Sequence, residues 1–358
     1  MISENKRLLV TTADERSWGS DESILFLGEW CLLDCRKESW ESLDYRVLPG
    51  YGVGSKTKVD DYGYVNIIYE RLIIEVGHKL NSFHNIVRSE RYWRILLGPW
   101  LYKFTSIAFN RWKTIQLVLE NKPLIKETIL LQIDQKTLVA GDTHEFTLNY
   151  FSDIWNHYFY GQILKEWTDI NITYVDIRHK NFDKLESSNR SHNNSYRSKL
   201  SCLFSKVSGL LSKDTDIFIS SSTLPMLENI KLLVALGQIP LHWHSPKFDL
   251  IVPDDQLRVD LGSEKRKSSG FEACVRSLVF DHIPTCFLEG FIELNSVVDL
   301  LPWPKKPKVI YTANSFDTDE VFKVWTADKV ESGSKYVIGQ HGGNYGTSKY
   351  TPSEKHEV

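Results

Sequence analysis

The sequence predicts an α/β protein built mainly on parallel sheets, and two features of the chain support this prediction. Short apolar runs with strand character alternate with longer stretches of helical period. A proline-rich stretch, 301–307, then precedes a fresh strand-helix-strand unit. We therefore expect an N-terminal domain over 1–300, a linker over 301–307 and the beginning of a second domain over 308–358.

Length and composition narrow the class of protein. The chain has 358 residues, which suits two or more domains, with 42% hydrophobic and 25% charged residues, as in folded globular proteins. Its net charge of -3 gives no global basic field that would attract nucleic acid or anionic lipid. A polar N-terminus, short apolar runs and five cysteines without a secretion signal predict a cytoplasmic protein with reduced thiols.

The first domain begins with strands and continues with long helices. Its first three strands are expected over 7–12, 24–28 and 45–48. An amphipathic helix is predicted over 57–85, because apolar residues recur there at spacings of three and four. A second helix is expected over 91–119, with an interruption at Gly98-Pro99 because proline cannot continue a regular helix. Together these helices form a helical insertion into the sheet.

Alternating strands and helices continue to residue 300. Further strands are expected over 128–133, 172–177, 216–219 and 239–244, and helices over 154–167, 225–236, 271–280 and 292–300. Residues 183–200 are rich in Ser, Asn and Arg and predict an exposed polar loop. In the second unit, strands at 308–312 and 336–339 flank a helix over 317–330 with acidic residues in its first turn.

The sharpest candidate site is the glycine-rich loop 339–346, which follows a predicted strand directly. Gly342 and Gly343 would let the backbone approach a phosphate or a sugar. His341 could hold a phosphate, protonate a leaving group or orient a carboxylate. A glycine-rich turn with a structural histidine is an equal alternative. An oxyanion hole of the lipase kind is disfavoured, because the chain has no Gly-x-Ser-x-Gly motif.

Three other motifs are weaker. The loop 50–57 lacks the glycine that a phosphate-binding P-loop needs immediately before its lysine, so a flexible loop is the better interpretation. His242 and His244 would share one face of a strand, but no third metal ligand accompanies them. Glu289 is a lone acid in an apolar run, either in a cleft with a raised pKa or, as we favour, exposed in a loop.

Residues at the ends of the first two strands are candidates for acceptor binding. In a parallel sheet the carboxyl ends of neighbouring strands meet at one edge, where ligands bind. The candidates at this edge are Thr11, Thr12, Glu29, Trp30 and Arg36.

Four segments, taken in order, resemble a family of bacterial transferases encoded in O-antigen and surface-carbohydrate loci. They are Leu9–Ala13, Phe26–Cys31, Arg91–Trp100 and Tyr336–Gly346. Members of that family are similar to GT-B glycosyltransferases, and the comparison extends to capsule and lipopolysaccharide enzymes that use CMP-activated ulosonic acids such as Kdo. The resemblance implies a Rossmann-type acceptor domain followed by a Rossmann-like nucleotide-sugar domain. Only the first βαβ unit of that second domain is present, so we expect a C-terminally truncated chain.

The resemblance also implies roles for residues of the second unit. The catalytic candidates are His341, Asp317 and Asp319. The donor-binding candidates are Asn314, Gln340, Gly342, Gly343 and Asn344. Asp317 and Asp319 suit helix capping equally well. Because these two acids lie at a predicted helix start, they do not form a convincing metal motif, and we expect transfer without a metal or cofactor.

The predicted function is transfer of a sugar from a nucleotide-activated donor to a glycan or lipid-linked acceptor in the synthesis of bacterial surface polysaccharide. The alternatives are a non-catalytic glycan-binding or scaffold protein, or an inactive fragment of such a transferase. No nucleic-acid partner is expected. Peripheral association with the inner membrane is left open.

Overall fold

The computed structural model describes residues 6–19, 23–52, 57–120, 124–177, 208–241, 243–262, 270–340 and 342. It contains two parallel sheets with helices packed on them, which confirms the predicted α/β class. The first sheet has the order β3-β2-β1-β4-β5. Its strands are β1 (Arg7–Val10), β2 (Ile24–Phe26), β3 (Tyr45–Val47), β4 (Ile125–Gln132) and β5 (Ile172–Asp176). From β1, strands β2 and β3 are added on one side of the sheet, and β4 and β5 are added later on the other side. The strand order therefore reverses between β1 and β4.

Strand β1, in the middle of the first sheet, is buried on both of its faces. Its successive residues point to opposite sides of the sheet. Leu9 packs into the large core beneath the helices. Leu8 and Val10 pack into a smaller cluster with Trp18 and Phe26, under turns that carry only short 3-10 segments. A strand buried on both faces usually has a continuous run of apolar residues, and β1 has such a run at Leu8, Leu9 and Val10.

Five helices lie among the described residues up to residue 177. They are α1 (Lys58–His84), α2 (Glu90–Leu96), α3 (Gly98–Glu120), α4 (Thr143–Asn149) and α5 (Asp153–Trp167). Helix α1 ends where Asn85 adopts a left-handed conformation, with φ of 52°. The predicted interruption at Gly98-Pro99 is confirmed, since α2 ends two residues before α3 begins. Within the described residues, no helix is both long and apolar enough to cross a bilayer.

The second sheet has the order β6-β7-β8, with strands β6 (Phe218–Ser220), β7 (Val309–Thr312) and β8 (Lys335–Ile338). Between β6 and β7 lie helices α6 (Met226–Ala235), α7 (Asp255–Gly262), α8 (Phe271–His282) and α9 (Phe291–Asp299). The sequence pattern predicts that the second sheet starts after the proline-rich stretch, but β6 precedes that stretch. The division of the chain into domains at 301–307 stays a prediction.

One predicted strand and one predicted helix differ from the structure. The described residues of 239–244 form no strand; Pro240 has no N–H for a ladder, and Trp243 stacks on Phe218 at 5.2 Å between ring centroids. The helix expected over 317–330 is broken at Asp319, whose backbone is extended, into α10 (Ser315–Thr318) and α11 (Glu320–Glu331).

The expectation that Glu289 is exposed in a loop is wrong. Its side chain is only 6% exposed and receives both arms of the Arg258 guanidinium, at 2.7 and 2.8 Å. Arg258 also donates to the carbonyls of Phe280 and Ile283. This buried ion pair joins α7 to the segment that follows α8. Its role is therefore to stabilise the packing of these two parts of the chain.

Candidate functional site

The turn after β1 collects four of the five acceptor candidates at the carboxyl edge of the first sheet. Trp30 Nε1 donates to the carbonyl of Thr11 at 3.4 Å, and Arg36 Nη1 donates to the carbonyl of Ala13 at 3.5 Å. Thr12 lies between these two carbonyls. Glu29 is exposed at the start of the turn that carries Trp30. The structure therefore brings the candidates together around one short turn, while their binding roles stay predictions.

The hydroxyl of Thr11 is bonded inside the fold to a buried histidine, His157 of α5. His157 Nε2 accepts from the backbone N–H of Leu131 at 2.9 Å, so the proton of the neutral ring lies on Nδ1. Nδ1 then donates to Thr11 Oγ1 at 2.6 Å. Burial lowers the pKa of His157 to about 4, which keeps the ring neutral near pH 7. Thr11 thus ties β1 to β4 and α5.

Asp153, the first residue of α5, forms the centre of this edge. Its Oδ2 accepts from the hydroxyl of Thr12 and, at 3.2 Å, from the backbone N–H of Ala13. Its Oδ1 is buried and has no hydrogen-bond partner among the described residues. Burial raises the pKa of this carboxyl, although both hydrogen bonds to Oδ2 lower it.

Asp153 is not among the residues that the sequence pattern predicts for the site. The only local signal was the pair Ser152-Asp153 ahead of a predicted helix, a pattern that usually marks a helix cap. Ser152 is that cap, and its hydroxyl accepts from the N–H of Trp155. The contact from Asp153 to Thr12 joins residues 141 positions apart, so no motif in the sequence displays it.

Trp30 provides a partly exposed aromatic surface beside this turn. Its ring stacks on Tyr160 of α5, with centroids 6.0 Å apart and planes inclined by 7°. Tyr160 is buried, whereas Trp30 is 38% exposed. The indole also crosses Gly28, where a Cβ atom would lie only 2.0 Å from Trp30 Cζ3. Glycine at position 28 is therefore required for the ring to lie on Tyr160.

Replacing Gly28 by Ala should push the Trp30 indole off Tyr160 and lower the free energy of unfolding by about 1–3 kcal/mol, the usual range for overpacking. Urea denaturation of wild type and variant measures this. Gly63→Ala is the matched control: it lies within α1 with nothing within 4 Å of its would-be Cβ, and should stabilise the protein by about 0.5–1 kcal/mol. Equal effects of the two changes would contradict the packing argument.

The carboxyl edge of the second sheet is organised by Thr312 at the end of β7. Thr312 Oγ1 accepts from the N–H of Asn314 at 3.2 Å and of Ser315 at 2.9 Å. The hydroxyl of Ser315 donates to Ser221, beyond β6. This leaves Asn314 exposed at the tip of the turn.

The glycine-rich loop begins at the same edge. The N–H of Gly339 donates to the carbonyl of Thr312 at 2.7 Å, so the first residue of the loop lies at this edge. Gln340 is exposed, and Gly342 has a φ of 108°, which favours glycine. Three of the candidates predicted from the sequence, His341, Gly343 and Asn344, lie outside the described residues.

The two acids of the second unit already have partners in the fold. Asp319 caps α11, since its Oδ1 accepts from the N–H of Phe322 at 3.0 Å and from the hydroxyl of Ser245 at 2.6 Å. Asp317 forms an ion pair with Lys103 of α3. Both contacts hold the start of α10 and α11 in place. Within the part of the chain that the structure describes, no cluster of three potential metal-ligating side chains occurs.

The carboxyl edges of the two sheets meet at α4. At the start of α4, the N–H of Thr143 donates to Glu320 of α11 at 3.0 Å. At its end, the pKa of Tyr150 is raised by burial and by the nearby Asp317 carboxylate. Only three residues further on is Asp153, which binds the turn after β1. The segment 143–153 therefore contacts residues that follow β7 and residues that follow β1.

One of three comparisons with known proteins indicates that the chain is a transferase. Neither the search of curated proteins nor the search of solved structures gave a match. A family model described as "LIC12162 family transferase" matches residues 7–358, which is nearly the whole chain. The chain belongs to the LIC12162 family of transferases.

Proposed function

We propose that this transferase moves a sugar from a nucleotide-activated donor to a glycan or lipid-linked acceptor during the synthesis of bacterial surface polysaccharide. The observation that carries the proposal is the meeting of two parallel-sheet carboxyl edges at α4. Such edges are where α/β proteins bind ligands. A transferase that joins two substrates needs two adjoining sites, and a GT-B-like arrangement provides one on each sheet.

The donor belongs to the second sheet in this proposal. The loop that leaves β8 at Gly339 is rich in glycine and would present backbone N–H groups to the donor phosphate. His341 is the proposed partner of the phosphate or of the carboxylate of a CMP-activated ulosonic acid. Gln340, Gly342, Gly343, Asn344 and Asn314 would complete the donor site. Asp317 and Asp319 would support it by fixing α10 and α11, through the contacts described above.

The acceptor belongs to the first sheet. A partly exposed indole held flat by a buried tyrosine, as Trp30 is by Tyr160, suits the apolar face of a pyranose ring. Glu29 and Arg36 are exposed beside it and would bind polar groups of the same sugar. A lipid-linked acceptor would bring the enzyme to the inner face of the cytoplasmic membrane.

Calorimetry on the chain tests the donor half of the proposal. CMP-Kdo and UDP-N-acetylglucosamine are the first probes, with free CMP and UDP alongside. Binding of one activated sugar at micromolar affinity, weakened at least tenfold by His341→Ala, is the expected result. The absence of heat with every nucleotide, together with binding of free oligosaccharide that Trp30→Ala abolishes, would instead identify a non-catalytic glycan-binding protein.

A further inference from the structure

We propose that Asp153 is the general base that takes the proton from the acceptor hydroxyl. This inference rests on the proposed function, because it assigns the proton-transfer step of that reaction to a residue at the acceptor edge. Asp153 lies at the carboxyl end of β1, beside β4, where the strand order of the first sheet reverses. Crevices at such reversals are the usual ligand sites of open parallel sheets.

The carboxylate is held in a way that suits a base. Both hydrogen bonds, from the Thr12 hydroxyl and the Ala13 N–H, end on the same oxygen, Oδ2. These two donors fix the position of the group without occupying Oδ1. A buried carboxylate oxygen with no partner is rare in native proteins, because its lost hydration is not replaced. Because Oδ1 is shielded from solvent in the free protein, the acceptor must displace the groups that cover it before its hydroxyl can donate to Oδ1 and supply the missing hydrogen bond.

The turn that holds Asp153 is itself fixed on several sides. Arg36 and Trp30 bind the carbonyls of Ala13 and Thr11, and His157 binds the Thr11 side chain. A catalytic group held by such supporting contacts keeps its geometry during the reaction. Because Trp30 belongs to the same turn assembly, a sugar stacked on its indole would approach the Asp153 carboxylate.

The charges around Asp153 agree with this role. Burial and the Asp14 carboxylate raise its pKa, whereas the Arg36 guanidinium lowers it. The Cys31 thiol and the His157 ring are neutral neighbours near pH 7, since burial raises the pKa of the first to about 12 and lowers that of the second to about 4. A carboxylate with a raised pKa is a stronger base.

The chemical step is a direct displacement. The acceptor O–H bond breaks and its proton passes to Oδ1 of Asp153, while the acceptor oxygen forms a bond to the anomeric carbon. The bond from that carbon to the phosphate oxygen breaks, and the departing nucleotide takes the electron pair. Because attack and departure occur on opposite faces, the product has inverted anomeric configuration.

Asp153→Asn is the decisive variant. Its amide oxygen can still accept from Thr12 and Ala13, so a purely structural Asp153 would tolerate it, whereas a base would not. Transfer of labelled sugar from the donor selected by calorimetry to membranes of a strain lacking the gene should fall by about 10²–10⁴-fold. Donor binding should be unchanged. The matched control is Asp44→Asn, a carboxylate bonded to the Ser23 hydroxyl and Arg7 near the start of β3, which should leave transfer unchanged.

A second readout does not depend on the fold of that variant. Thr12→Val removes a hydrogen bond that stabilises the ionised carboxylate, so the pKa of Asp153 should rise and the acidic limb of kcat/KM should move to higher pH. Normal transfer by Asp153→Asn, or an acidic limb that stays in place, would overturn the assignment of the base alone. If the wild-type chain transfers no sugar, the proposed function itself fails.

Discussion

Replacing Lys323 by Met is expected to lower the free energy of unfolding by about 3–5 kcal/mol. Lys323 is completely buried, and its ammonium lies 2.7 Å from the equally buried carboxylate of Glu320. It also donates to the Thr143 hydroxyl and to the carbonyl of Asp317. Methionine fills the volume but leaves the Glu320 charge without its cation. Urea denaturation at pH 7 measures the loss.

The double variant Lys323→Met, Glu320→Gln is the informative partner of that experiment. Removing both charges should restore much of the stability, because the cost of the single change is an unpaired buried carboxylate. Lys335→Met, at an exposed position in β8, controls for the loss of a lysine and should change stability by less than about 0.5 kcal/mol. A loss below about 1 kcal/mol for Lys323→Met would show that the buried pair does not hold α11 against α4.

The second large effect is expected at Arg258, whose side chain is 1% exposed. Arg258→Met would leave the Glu289 carboxylate buried and would remove the donors to the carbonyls of Phe280 and Ile283. We expect a loss of about 3–5 kcal/mol. Arg258→Lys should recover only part of it, because an ammonium cannot reproduce the bidentate geometry.

A surface pair provides the matched comparison. Arg71 binds Glu272 at 3.1 Å but is 56% exposed, so Arg71→Met should cost no more than about 1 kcal/mol in the same denaturation experiment. Similar losses for the variants of Arg258 and Arg71 would contradict the view that burial, rather than pairing itself, makes Arg258 important.

The spacing of apolar residues predicts the helices of this fold well where the buried side chains recur with the helical period. Helix α1 begins and ends within one residue of the stretch expected from its apolar spacing. The pattern could not predict that Phe218–Ser220 pairs with a strand about ninety residues further along the chain, since such pairing depends on tertiary packing. The run at 239–244 has the pattern of a strand, but its described residues form no strand and Trp243 packs on Phe218, which is again a matter of tertiary packing.

The candidate site shows the same limit. Position at the strand ends was enough to choose Thr12, Trp30 and Arg36, which the structure brings around one turn. The central carboxylate, Asp153, comes from the start of a helix far along the chain, and only the folded structure brings it to Thr12. Asp319 lay within an acidic helix start, and its neighbours explain it as a cap.

The most direct test of the central claim is incorporation of labelled sugar into membranes of a strain that lacks the gene, with CMP-Kdo and UDP-N-acetylglucosamine as donors. Wild-type protein should place label from one donor in the lipid-linked or polysaccharide fraction, and Asp44→Asn should do the same. Asp153→Asn should give about a hundredth of that label or less. Folded wild-type protein that places no label in either fraction with either donor would contradict the account.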